Sequence, residues 1–110
     1  MEIKELIEKL NTLNYPIAMY SFSEGENPTT PFLVYELQYN NFPADGKVYS
    51  TDITVKLYLI TDKVNFFVEK EVENILSEIG YFEKEQEYIQ DEKIYQTQYT
   101  IGGFINNAKS

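Results

Sequence analysis

The sequence predicts an α+β domain, an antiparallel sheet of about four to five strands with two helices packed on one face, in the order α-β-β-β-α-β-β. Three observations predict it. Two stretches repeat apolar residues at spacings of three and four, the period of an amphipathic helix. Five stretches instead read as strands, the clearest alternating apolar and polar residues. Turn formers separate them, and the simplest packing sets both helices on one sheet face. The 110 residues fit one domain and are too few for two ordinary ones. Residues 1–105 are expected to form it, with 106–110 as a flexible C-terminal tail.

Residues 2–13 place Ile3, Leu6, Ile7, Leu10 and Leu13 on one stripe, with Glu2 and Glu5 near the start and Lys9 towards the end, as the macrodipole favours. Asn14-Tyr15-Pro16 ends this helix, because a residue before proline avoids the α region. A short strand follows at 17–22, and 23–31 reads as a loop rich in Ser, Gly, Asn and Pro. Residues 32–39 form a strand with Leu33, Tyr35, Leu37 and Tyr39 on one face and Phe32, Val34, Glu36 and Gln38 on the other. Residues 48–60 alternate most clearly, with Tyr49, Thr51, Ile53, Val55, Leu57 and Leu59 facing the core. Asn40 to Gly46 reads as an extended loop between these two strands, too long for a minimal hairpin turn.

Asp62 is the expected cap of a second helix over 63–79, whose stripe is Val64, Phe67, Val68, Val72, Ile75, Leu76 and Ile79. Gly80 stops it. Strands at 81–90 and 93–101 join through Asp91-Glu92, and Gly102-Gly103 ends the last one.

Composition excludes several chemistries. With no His and no Cys, thiolate and imidazole zinc sites, nucleophilic cysteines and Ser-His-Asp triads are ruled out. The formal charge of −9 repels phosphate, and the absence of Arg removes the usual guanine reader, which disfavours sequence-specific nucleic-acid binding. No segment approaches the roughly 20 apolar residues of a membrane span. Acidity leaves two DNA-related roles, lining a channel through which DNA slides or mimicking DNA on a basic protein. Asp91-Glu92-Lys93 resembles the end of a metal-dependent nuclease signature, but a hairpin turn is where such charges belong anyway. Glu24, Glu26 and Asn27 do not meet calcium-loop spacing. We expect no enzyme activity, no cofactor and no metal. Glu83, Glu85 and Glu87 alternate on one strand, placing three like charges side by side as an acidic surface or channel lining. Ten Tyr, nearly all in predicted strands, and bulk on both faces of 32–39 point to a second subunit covering part of the sheet.

Three segments carry a resemblance: Tyr15-Pro16-Ile17-Ala18-Met19-Tyr20-Ser21-Phe22, Pro31-Phe32-Leu33-Val34-Tyr35, and Asn41-Phe42-Pro43-Ala44-Asp45-Gly46-Lys47-Val48-Tyr49. A looser fourth is 92–99. Together they resemble a family of tailed phages and prophages of Gram-positive bacteria, similar to the tail terminator (tail completion) proteins of long-tailed phages. The family often has two prolines before the Phe-x-Val-Tyr strand, and Thr30 occupies the first of those places here. The resemblance implies a non-enzymatic structural protein and a homo-oligomeric ring, usually hexameric. Such a ring caps the tail tube, meets the major tail protein and the head connector proteins, and leaves an axial channel for the genome. It also implies assembly in the host cytoplasm and a final place at the virion head-tail junction. A head-closure or head-tail joining ring is the neighbouring alternative, and an acidic DNA-mimic inhibitor of a host enzyme the alternative from another class. Within the loop at 40–47, Phe42 is the expected interface anchor, with Asp45 and Lys47 as polar rim; the competing reading folds Phe42 back onto the sheet.

Overall fold

The computed structural model describes residues 3–22, 25, 28–44 and 47–107, with side chains for all of these except 40–44, 47–51 and 105–107. The first apolar stripe forms α1 (Ile3–Leu10), shorter than 2–13 because the turn after Leu10 tightens, with Leu13 N donating to Leu10 O at 3.1 Å. Leu6 and Leu10 are fully buried, each contributing about 1.5–3 kcal/mol of apolar transfer. The chain then enters β1 (Ile17–Met19), three residues long where six were expected.

β1 corrects the antiparallel expectation. It pairs parallel with β2 (Phe32–Ala44), Ile17 opposite Leu33 and Met19 opposite Tyr35, so the sheet is mixed. The physical reason lies in the connection. Residues 20–31 are long enough to carry the chain back to the sheet's starting end, which a parallel neighbour requires and a hairpin does not. β2 and β3 (Lys47–Thr61) are antiparallel and pair from Phe32–Ile60 to Ala44–Lys47, with a bulge at Phe42/Pro43. The extended loop expected at 40–46 is therefore strand through Ala44 and again from Lys47; alternation fades there, but the backbone ladder does not depend on side-chain polarity.

The second helix, α2, spans Phe66–Ile79. Its cap is Asn65 and not Asp62: the Asn65 side-chain carbonyl accepts from Val68 N at 3.2 Å. The buried face is narrower than the expected stripe. Val68, Val72 and Leu76, four apart, are buried, whereas Phe67, one position short of that spacing, is 73% exposed and Val64 lies outside the helix. Gly80 ends α2 in extended backbone, its N–H donating to Leu76 O at 3.0 Å. β4 (Phe82–Ile89) and β5 (Ile94–Asn107) close the chain through a turn in which Lys93 N donates to Gln90 O. β5 continues past the glycine pair expected to end it. Between Ile101 and Phe104 two residues oppose the single Thr54, a bulge that sets Gly103 at φ +86°. Asn106 and Asn107, expected in a flexible tail, pair with Thr51 and Ser50, and 108–110 lie outside the described residues.

The sheet order is β1-β2-β3-β5-β4, placing β3 and β5 at the centre. Leu33, Ile53, Val55, Leu57, Leu59, Tyr99, Ile101 and Phe104 join Leu6, Leu10, Val68, Val72 and Leu76 in one core, so both helices cover the same sheet face. No described helix is long and apolar enough to cross a membrane.

Candidate interaction surface

Alternation assigns the remaining strand residues to the face opposite the helices. β4 is an edge strand, and its pairing with β5 sets Glu83, Glu85 and Glu87 opposite Thr100, Gln98 and Gln96 on that open face. All three carboxylates are exposed, as the alternation predicts. Charged side chains on an unpaired edge also discourage another strand from adding to it.

The intervening residues point the other way, under α2, and build a polar network that the sequence did not announce. Glu69 is only 3% exposed, yet accepts from Lys84 Nζ at 2.7 Å and from Gln86 Nε2 at 3.1 Å. Gln86 also donates to Thr97 Oγ1 at 2.8 Å. Lys84 reaches Glu73 at 2.8 Å, and the buried Tyr99 hydroxyl donates to Glu73 at 2.7 Å. Desolvation raises the Glu73 pKa, but the hydrogen bonds from Lys84 and Tyr99 and the nearby lysine charges outweigh it and leave the carboxyl below its usual range. Desolvation likewise works against the Lys84 ammonium, but its two carboxylate partners hold the pKa above the usual lysine value. Burial and Glu73 both push the Tyr99 phenol up. From the segment between α1 and β1, Tyr15 donates to Glu71 of α2, and that bond with desolvation moves its pKa up to about 12. These groups clamp α2 to the sheet. The signal available in the sequence was Lys84 and Gln86 standing out of phase with the three glutamates.

A second feature of the open face is apolar. At the end of the face nearest the β4–β5 turn, Phe32, Val34, Tyr58, Ile60, Ile89 and Ile94 line a concavity of about 460 Å³. Ile60 is buried in its floor. Tyr20 stands at its rim in a left-handed conformation, φ +66°, with Ser21 N donating to Met19 O at 2.8 Å to close a γ-turn. Phe22 packs edge-on against Phe32, ring centroids 5.5 Å apart. The bulk noted on both faces of β2 is the sequence trace of this concavity.

The other anticipated residues divide. Phe42 is opposite Ser50 near the hairpin end and Lys47 opposite Ala44, while their side chains, and all of Asp45, lie outside the described residues. Phe42 and Lys47 are thus far from Glu83, Glu85 and Glu87 along the strand ladder, and the structure does not join them to that acidic row. Asp91, Glu92 and Lys93 are exposed in the β4–β5 turn. Among the described residues no cluster of three or more acidic side chains converges as a metal site would need. Glu24, Glu26 and Asn27 fall outside the described residues. No family model, curated protein or solved structure matches the chain.

Proposed function

We propose that this protein is a structural subunit of a phage head-tail junction, a tail terminator-like ring that caps the tail tube by binding and without chemistry. The observation that carries the reading is the arm formed by β2, β3 and β5. Pairing continues to Ala44–Lys47 on one side of β3 and to Ser50–Asn107 on the other, whereas β1 pairs no further than Tyr35 and β4 no further than Ile101, so this end of the sheet holds only two or three strands. At about 3.4 Å per residue, the six residues from Ile53 to Lys47 extend that ribbon by roughly 20 Å. The radius of gyration, 15.5 Å, exceeds the roughly 13 Å of a compact domain of this length. Beyond Ser50 only β2 and β3 remain paired, and a two-stranded ribbon is marginal by itself in water, which favours its use against a neighbour.

In this reading the arm reaches the adjacent subunit or the tail tube, with Phe42 as anchor and Asp45 and Lys47 as polar rim. Glu83, Glu85 and Glu87 face the axial channel, where like charge repels the genome's phosphates and keeps the DNA mobile. Head connector proteins and the major tail protein are the proposed partners, and the virion head-tail junction the proposed location.

Negative-stain imaging and sedimentation of the purified protein, alone and with a major tail protein, test the proposal. Rings, alone or on tube ends, are expected. Phe42→Ser is expected to abolish them while moving the subunit's melting temperature by less than about 3 °C. A protein that stays monomeric under every condition and leaves tube ends uncapped overturns the reading. So does a Phe42→Ser variant that unfolds, because Phe42 then belongs to the subunit's own core.

A further inference from the structure

From the concavity on the open sheet face we infer a docking site for a basic, extended segment of a different protein, which seats an aliphatic or aromatic side chain against Val34, Tyr58 and Ile94 and sets flanking lysines or arginines on Glu36 and Glu92. The inference goes beyond the ring reading, and its surface is at the end of the sheet opposite the arm.

The apolar argument comes first. In a domain with a single helix layer, the far sheet face has no covering, and its side chains are expected to be polar. Here Phe32, Val34, Tyr58, Ile60, Ile89 and Ile94 cluster at one end of that face, and the space they frame is within the usual range for a binding pocket. The non-glycine residues Tyr20 and Lys93 both adopt left-handed backbone, and both are at or beside its rim. Such conformations are strained for a non-glycine residue and persist where surrounding structure enforces them. Tyr20 is held by its N–H on Tyr35 O at 2.8 Å and by its hydroxyl on Leu37 O at 3.2 Å. The rim is therefore fixed before anything binds.

Charge selects the occupant. Glu36 and Glu92 line the concavity, and Glu83, Glu85 and Glu87 continue the same face. Glu36 accepts from the Tyr58 hydroxyl at 3.3 Å and forms no ion pair among the described residues. Two cations are near, Lys56 opposite Glu36 in the register and Lys93 beside the rim, against the five carboxylates of Glu36, Glu83, Glu85, Glu87 and Glu92. A second copy presenting this same face would set Glu83, Glu85, Glu87 and Glu92 against their own counterparts. A segment carrying cations beside an apolar anchor meets both features at once, and the acidic row steers its approach.

The test uses the full chain and a fluorescein-labelled peptide, acetyl-Gly-Lys-Phe-Lys-Gly-amide, read by anisotropy at low ionic strength. Saturable binding is expected, weakened at least tenfold when Ser replaces the peptide's Phe or Glu replaces both its lysines. Val34→Thr and Ile94→Thr are each expected to weaken it about tenfold. Glu36→Gln with Glu92→Gln is expected to weaken it two- to tenfold, the range of exposed ion pairs. Glu78→Gln, on the helix face, is expected to leave it unchanged. Equal binding of the Ser peptide, or insensitivity to Val34→Thr and Ile94→Thr while both variants melt like the parent, overturns the inference. Self-association that Ile94→Thr abolishes overturns it too, because the occupant is then a second copy. Ring formation in the Glu36→Gln, Glu92→Gln variant, read by sedimentation, separates failure here from failure of the ring reading.

Discussion

Lys84→Met removes the cation that holds two carboxylates between α2 and the edge strand. Glu69 has 4% of its side chain exposed and keeps only the Gln86 amide as donor; Glu73, 28% exposed, keeps the Tyr99 hydroxyl. Stranding a fully buried partner costs about 3–5 kcal/mol, but Lys84 itself is 36% exposed and water can enter where its ammonium stood. The expected loss is therefore about 2 kcal/mol, or roughly 10 °C of melting temperature in a domain of this size. Circular dichroism melts of the parent, Lys84→Met, Glu69→Gln and the double variant complete a cycle. The double variant is expected to recover at least half of the loss, since it removes the charge that Lys84 neutralised. Acidity supplies a further check. Glu73 is held below its unfolded pKa, so its share of stability is present above that value and disappears as pH falls through the folded one. Because Lys84 provides much of that hold, the gap between parent and variant is expected to narrow as the pH drops below about 4.3, the ordinary Glu value. A shift under 2 °C at neutral pH, or effects of the two substitutions that simply add, refutes the clamp.

Two further pairs of variants probe features that only the backbone reveals. Asn65→Ala is expected to cost about 1 kcal/mol, the value of an N-cap, and Asp62→Ala almost nothing; equal effects in thermal melts mean the helix starts earlier than Phe66. Gly103→Val sets a β-branched residue at φ +86° and is expected to lose about 1–3 kcal/mol, whereas Gly102→Ala, whose new methyl meets nothing nearer than Thr54 Oγ1 at 4.0 Å, is expected to melt within a few degrees of the parent. If chemical denaturation finds the two glycine variants alike, the bulge is not where the register places it.

What the sequence determined by itself was most of what repeats with a local period, Phe67 of the second helix being an exception. The i, i+3, i+4 spacing of Ile3, Leu6, Ile7 and Leu10 required a helix with one buried face, and the odd-numbered run from Ile53 to Leu59 required a strand with its core side fixed. Glu83, Glu85 and Glu87 were on one exposed face by the same arithmetic. Tertiary structure decided what depends on partners distant in the chain. Whether β1 runs parallel or antiparallel turns on how residues 20–31 return, and no side-chain pattern within β1 encodes that. The ladder between 40–44 and 47–51 is made of backbone hydrogen bonds, so it extends where alternation had faded. Glu69 carries no local signal of burial, and its place under α2 depends on Lys84 and Gln86, more than a dozen positions later, arriving from the edge strand to satisfy it. The apolar concavity needed β2, β3, β4 and β5 side by side before Val34, Tyr58, Ile89 and Ile94 became neighbours. Periodicity is a property of consecutive residues and is written in the chain; pairing and pocket formation are properties of the folded surface, and exist only once the elements have met.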